Sequence, residues 1–418
     1  MKKFLFIMMI VALILGCGTT SSSTASSDMA ADGGDAGAAM AETPRRAIPP
    51  TMAVEGVATV DGVLDDAEWA AAVKYPLAYN QLNQEDLRPP KDRKDISGNW
   101  SVMFSGNMLY GYVTRTDDVL FLDAGNIWEN DCIELFLDVD GSFSQIRALV
   151  GEDFDGGTFP ATAVWSADGS VVEFSVELPM DMAGKIIGWT LALADNDGEG
   201  RDYQLYPING QNDSWQGVNL GSLAFGEGAT GDANMVIPFR ANAGTGITVD
   251  GNYSDDEWAA AVKYQFCYNQ LNTADETMNP DYKDLYGDWG LVYEGNMLYG
   301  FVNRSDDVTV TTAPNVWDND TVEVFLDIAG TFSQIRTVVG EGWGGGTYAA
   351  EAVWSADGKV LEFSCDLGTA AADLGIIGFS IALADDDDGT NREQQLYPVY
   401  GFNDGWQGKN LAELEFMK

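Results

Sequence analysis

Twelve tryptophans stand in this chain, and four of them occupy segments that offer an indole no obvious core to fill. Trp128 and Trp317 lie in GNIWEND and PNVWDND, and Trp215 and Trp406 lie in QNDSWQG and FNDGWQG. Gly, Asn and Asp favour turns and water, so a ring set among them exposes apolar surface that folding alone does not require. A pyranose presents an apolar face of C–H groups that stacks on such a ring. Two flanking indoles would clamp one sugar, with nearby Asn, Glu and Arg bonding its hydroxyls. The competing reading is that all four are rim tryptophans packed on their own loops.

Composition removes other chemistries. The chain has no histidine, which excludes a Ser-His-Asp triad, a Cys-His pair and histidine-ligated haem or zinc. With 65 acidic against 22 basic residues its formal charge is −43. Phosphate would be repelled, so a nucleic-acid partner is excluded on electrostatic grounds. The same acidity fits a saline habitat, calcium binding or solubility. Cys132, Cys267 and Cys365 are scattered, and read as buried free thiols; a disulfide between Cys267 and Cys365 is the alternative in an oxidising compartment.

The elements that must position these residues come in duplicate. VDGVLDDAEWAAAVKY, YNQLN, GNMLYGYV, IWENDCIELFLD, FSQIR, VWSADG, QLYP and NDSWQG recur, nearly unchanged, in the second half. Trp69 and Trp258 are 189 positions apart, as are Trp128 and Trp317, and Trp165 and Trp354; the spacing drifts to 191 at Trp215 and Trp406. This is a tandem duplication. Within each copy apolar residues alternate: Val172, Phe174, Val176 and Leu178 fall on one face, with Glu173, Ser175 and Glu177 expected on a wet one. IELFLDVD, MLYGYVTR and IIGWTLALAD read the same way, between Gly-Asn and Asp-Gly turns. Only DDAEWAAAV offers a helical turn, capped by Asp65 or Asp66. Trp69, Trp258, Trp100 and Trp289 read as structural. The fold class is all-β: two tandem antiparallel β-sandwiches, jelly-roll-like, after a disordered N-terminal tether.

Met1-Lys2-Lys3 followed by the apolar run Phe4–Leu15 and then Gly16-Cys17 is expected to act as an export signal, with Cys17 lipidated as in the bacterial lipobox it resembles. Residues 1–16 are then the signal and 17–47 a flexible tether of Ser, Thr, Ala, Gly and Asp. Copy 1 spans 48–225, a Gly-rich linker 226–236, and copy 2 237–418. Membrane contact would be through the lipid alone. Gly18 after the cysteine leans toward the outer membrane or cell surface by the same resemblance.

The order VDG…DD.EW, GN.LYG.V…DD, W.ND..E.FLD, Q.R, IIG……AD and ND.W.G.NL resembles the family 9 carbohydrate-binding modules, and it does so in both copies nearly end to end. The resemblance implies a β-sandwich that binds glycan without catalysis, often attached to glycoside hydrolases, with structural calcium. It pairs Trp128 with Trp215, and Trp317 with Trp406, as the clamp. It also implies Glu134 and Glu323, Arg147 and Arg336, and Asn212 and Asn403 as ligand-binding residues. Glu and Arg on adjacent strands are equally read as a structural ion pair. A family asparagine is replaced by Leu149 and Val338, and a family glutamine by Ala192 and Ala382. Calcium ligands are sought in the acidic loops Asp195-Asn196-Asp197 and Asp385 to Asp388. The alternatives are a glycosidase component, a structural surface protein, and a haem-binding sandwich ligated by Met103 or Met108; of these only Met108 has a methionine counterpart, Met297.

Overall fold

A computed structural model describes residues 51–418 except 66, 78, 81–94, 199, 209–213, 231–237, 272–283, 400–404 and 410. The export signal, Cys17 and the tether lie outside the described residues, as do Asn212 and Asn403. Among the described residues no helix is long and apolar enough to cross a membrane.

Copy 1 is built from β1 (Thr51–Glu55), β2 (Tyr75–Leu77), β3 (Tyr79–Asn80), β4 (Ile96–Ser105), β5 (Met108–Asp117), β6 (Cys132–Val139), β7 (Ser142–Leu149), β8 (Ala161–Trp165), β9 (Val171–Glu177), β10 (Ile186–Asp195), β11 (Tyr203–Tyr206) and β12 (Gly221–Phe225). One layer runs β2-β4-β5-β9-β8, and the other gathers β7, β6, β12, β11 and β3 around β10. Copy 2 repeats the same order. The chain is thus two tandem β-sandwiches. Pairing is antiparallel with one exception that the alternation pattern did not signal. β1 runs parallel to both neighbours, pairing Thr51–Ala53 with β12 and Val54–Glu55 with β4, so it stitches the two layers together.

Turn chemistry sets the register. Val139 pairs Ser142 across Asp140-Gly141, both at positive φ (51° and 81°), the two-residue hairpin turn that matches strand twist. Copy 2 uses Ala329-Gly330 at the same angles, placing a residue with a Cβ where Asp or Asn is tolerated better. Between the layers Trp100 meets Tyr75 and Trp189, and in copy 2 Trp289 meets Tyr264 and Phe379. All these rings are buried.

The helical turn forms with Asp65 as its cap: its Oδ1 accepts from the Ala67 N–H at 2.9 Å and its carbonyl accepts from Trp69 at 3.2 Å. Trp69 is buried as expected, but its partner corrects the two-faced reading of β9. Glu173, assigned to the wet face, is fully buried. Its carboxylate accepts from Trp69 Nε1 at 3.0 Å and from the backbone of Asp61 and Gly62 at 3.1 and 3.0 Å. The VDG…EW segment therefore covers the outer face of β9 and needs an acceptor for three hydrogen bonds beneath it. Gly62 holds φ +78°, and a Cβ there would stand 2.7 Å from the Trp165 carbonyl, which explains the glycine in VDG. Glu362, Trp258 and Gly251 repeat the arrangement. β10 departs too: Trp189 to Asp195 is buried on both faces.

The copies also pack on one another. The Tyr268 hydroxyl donates to the Pro207 carbonyl at 2.6 Å, and the Tyr79 hydroxyl donates to the Pro398 carbonyl. Burial raises the Tyr79 phenol well above its ordinary range, helped by the neighbouring Cys267 and Tyr268. Cys132, Cys267 and Cys365 are buried and form no disulfide among the described residues.

Glu173→Ala orphans three donors and is expected to destabilise copy 1 by about 3 kcal/mol in denaturant melts. Ala329→Asn is expected to raise stability by roughly 1 kcal/mol by relieving a left-handed residue.

Candidate functional site

Trp128 sits in a single 3-10 turn, Ile127–Glu129, between β5 and β6, and Trp317 sits in its counterpart, Val316–Asp318. The Asn-rich sequence supplies its own scaffold. Asn130 Oδ1 accepts from the Ala124 N–H at 2.8 Å, and its Nδ2 donates to the Ile127 carbonyl at 3.3 Å. Trp128 is 51% and Trp317 52% exposed, while Trp215 and Trp406, in the turns Ser214–Gln216 and Gly405–Gln407, are 58% exposed. About half of each residue is left uncovered, so each ring has apolar surface to offer.

Strand register then defines a face. Glu134, Phe136 and Asp138 of β6 stand opposite Arg147, Gln145 and Phe143 of β7, and Ala192 of β10 lies beside Glu134. Arg147 Nε donates to Glu134 Oε1 at 3.1 Å, Arg201 Nη2 to the same oxygen at 3.1 Å, and Gln145 Nε2 to Oε2 at 2.9 Å. In copy 2 Glu323 receives Arg336 at 2.7 Å, Arg392 at 3.0 Å and Gln334 at 3.1 Å. Burial alone would raise the Glu134 carboxyl, but Arg201 and Arg147 outweigh it and hold the group below the ordinary carboxylate range. The ion pair expected between Glu134 and Arg147 is present, and it is a triad rather than a pair. Arg147 keeps about a fifth of its side chain exposed on this face.

Both tryptophan turns border this face. Arg201 Nη2 also donates to the Trp128 carbonyl, tying that turn to Glu134. At the other side Gly217, two residues after Trp215, lies against Phe143: a Cβ there would stand 3.1 Å from the ring. Phe143 packs with Phe136, Tyr206 and Leu220, which floor that end of the face. In copy 2 an open groove of about 380 Å³ lies over the same face, lined by Val316, Gln334, Arg336, Val338, Glu341 and glycines 342, 344 and 345. Leu149 and Ala192 flank Glu134 by register, so the apolar replacements fall on this face.

A second constellation lies behind the Trp128 turn. Asp117, Asp131 and Asp195 bring carboxylate oxygens within 4.8 Å of one another, and Asp95, Asp118 and Asp197 extend the group. Asp306, Asp320 and Asp385, with Asp284, Asp307 and Asp387, repeat it. Asp131 accepts from Arg115 Nη2 at 2.7 Å and from the backbone of Phe121 and Asn196 at 3.1 and 2.8 Å. Asp195 is fully buried, yet neither of its carboxylate oxygens meets a donor among the described residues, and the same holds for Asp385. Burial, with Asp131 and Asp197 nearby, pushes the Asp195 carboxyl up to about 8; burial, with Asp284 and Asp320, does the same for Asp385. Orphaned buried oxygens among further carboxylates fit a hard divalent cation such as Ca²⁺. Of the acidic loops singled out by sequence, Asp195, Asp197, Asp385 and Asp387 enter these clusters. Asn196 instead donates to the Glu129 carbonyl, and Asp386 accepts from the backbone of Gly389 at 2.8 Å. Met103, a haem-ligand candidate, packs in a small core cluster with Trp69 and Tyr112.

Sequence reasoning missed Arg201 and Arg392, Gln145 and Gln334, and the acids Asp95, Asp117 and Asp131, at or beside strand ends, with their counterparts. The signal was present, since each keeps its identity in the other copy; Arg201 opens RDYQLYP and Arg392 opens REQQLYP.

Residues 60–146 and 249–335 match the family model described as carbohydrate family 9 binding domain-like. No curated protein matches the chain. Similar solved structures include a carbohydrate binding module family 9 from Caldicellulosiruptor kristjanssonii in complex with cellotriose, at 18% identity, and one in complex with glucose, at 17%. Each likeness covers 44% of this chain and 100% of that chain, with a TM-score of 0.37.

The triad yields a pH prediction. Because the folded-state pKa of Glu134 and Glu323 is lowered, their contribution is fully present above the unfolded value, about 4.3, and is lost as pH falls through the folded one. Melting temperature should therefore drop steeply below about pH 4. Glu134→Gln with Glu323→Gln should lower stability by roughly 3 kcal/mol per copy at pH 7, and should blunt that acid dependence.

Proposed function

As this chain carries two tandem domains like those of carbohydrate family 9, we propose that it binds glycan without catalysis, clamping one sugar ring per copy between loop tryptophans. The clamps are Trp128 with Trp215, and Trp317 with Trp406. What carries the reading is the pair of half-exposed indoles at the borders of one sheet face, over a floor where Arg147 or Arg336 keeps a partly exposed guanidinium. Stacking supplies affinity on the apolar ring face, and the guanidinium with Gln145 or Gln334 donates to hydroxyls. Glu134 orients these donors; Asn212 and Asn403 complete the set by family position.

Turnover finds no support in the carboxylates of this face. A glycosidic general acid needs a raised pKa, and Glu134 and Glu323 are held low between two arginines each. Binding would serve polysaccharide capture at the cell surface, with Cys17 carrying the lipid and residues 18–47 the tether. Two sites on one anchored chain raise avidity on a polymer. Each copy also binds a structural Ca²⁺, held by Asp195, Asp131 and Asp117 in copy 1 and by Asp385, Asp320 and Asp306 in copy 2.

Tryptophan fluorescence of the full chain, titrated with mono- and oligosaccharides, tests the clamp. Trp128→Ala with Trp317→Ala should weaken binding at least about ten-fold per site, roughly 1.4 kcal/mol; unchanged glycan capture would sink the reading. For the metal, a chelator should lower the melting temperature and added Ca²⁺ restore it. Asp195→Ala with Asp385→Ala should abolish that response, and a chelator-insensitive melt of the unaltered chain would contradict the assignment.

A further inference from the structure

The outer neighbour of β7 is not a strand but a single antiparallel bridge, and the two copies carry different residues there. Arg147 and Asp155 exchange both backbone hydrogen bonds, at 3.0 and 2.7 Å, and Arg336 and Gly344 do so at 3.1 and 2.7 Å. Residues paired in this way direct their side chains to the same face. Asp155 therefore stands beside Arg147 on the face that borders Trp128, and it is exposed. In copy 2 the equivalent position has no side chain, and neither does Gly342, where copy 1 has Asp153.

Space at these glycines is not forced by crowding. A Cβ on Gly344 would meet only the Arg336 carbonyl oxygen, at 3.7 Å, and a Cβ on Gly342 would meet nothing within 4 Å. Neither glycine holds a positive φ. The groove of about 380 Å³ over Arg336 thus lies where copy 1 carries the Asp155 side chain; Asp153 is instead engaged with β8, its Oδ1 accepting from the Ala163 N–H at 2.6 Å.

We propose that the two copies take ligands of different length, a division that rests on the sugar-binding reading above. Copy 1 holds a single ring, with Asp155 standing where a second ring would lie and accepting a hydroxyl of the first. Copy 2 holds two or more linked rings, the additional one laid over Gly342 to Gly345 between Arg336 and Glu341. Asp155 and Gly344 are then the specificity-determining positions. The chain would grip a polysaccharide through an internal or extended segment with one copy and through a single ring with the other.

The test uses the full chain with one clamp disabled at a time: Trp317→Ala reads copy 1 and Trp128→Ala reads copy 2. Glucose and cellotriose are suitable probes, since equatorial hydroxyls leave both ring faces free to stack. Copy 2 should bind cellotriose about ten-fold or more tighter than glucose, and copy 1 less than about three-fold tighter. Gly344→Asp in the Trp128→Ala chain should remove the gain, and Asp155→Gly in the Trp317→Ala chain should confer it. Gly344→Asn, of the same shape without the charge, should also remove it if space decides. An equal gain in both copies, or a gain that ignores the swaps, overturns the division and leaves sugar binding standing. Failure of both chains to bind these sugars and a wider glycan panel overturns the division together with the sugar reading.

Discussion

A carboxylate buried away from water must collect donors from wherever the chain can supply them, and Asp131 collects its donors from three segments. Arg115 comes from the end of β5, Phe121 from the loop that leads to Trp128, and Asn196 from the end of β10. These belong to different layers of the sandwich, so one side chain fixes the layers, the tryptophan turn and the following acidic loop against each other. That loop carries Arg201, whose guanidinium reaches both Glu134 and the Trp128 carbonyl. Removing the Asp131 carboxylate would leave Arg115 with Asp117 as its carboxylate partner and release two loops at once. Asp320, Arg304, Val310 and Asp386 repeat the junction in copy 2.

Seen from this junction, the tryptophan-bordered face and the acidic cluster are two sides of one construction. Asp131 and Asp195 belong to the same carboxylate group, and Asp195 leads directly into the loop that ends at Arg201. Burying several like charges together costs too much unless protons or a cation balance them. A cation there would hold the acidic loop in the position from which Arg201 supports the tryptophan turn. The high negative charge of the chain is thus partly placed rather than spread, with a repeated share of it gathered beside each site.

Duplication made much of this legible in sequence, because residues kept in both copies stand out from a variable background. The four loop tryptophans were found from the polarity of their surroundings, and the buried Trp69 and Trp100 from their places in an amphipathic turn and at the start of a strand. Glu173 was misplaced because alternation describes a strand with one covered face, whereas the VDG…EW segment covers the second face of β9. Arg201 was missed since its role depends on a loop folding back across β6, a contact no local pattern encodes. YNQLN and QLYP were visible as repeats without a reason. Tyr79 and Tyr268 supply it: each reaches a proline carbonyl in the QLYP segment of the other copy, so a reciprocal contact requires the same residues twice.

A crystal structure of the full chain soaked with cellotriose would locate the ring on each copy. A pyranose is expected over the Glu134–Arg147 pair, flanked by Trp128 and Trp215, with its counterpart over Glu323–Arg336 between Trp317 and Trp406. Sugar seated elsewhere on the sandwich, out of contact with these indoles, would contradict that placement.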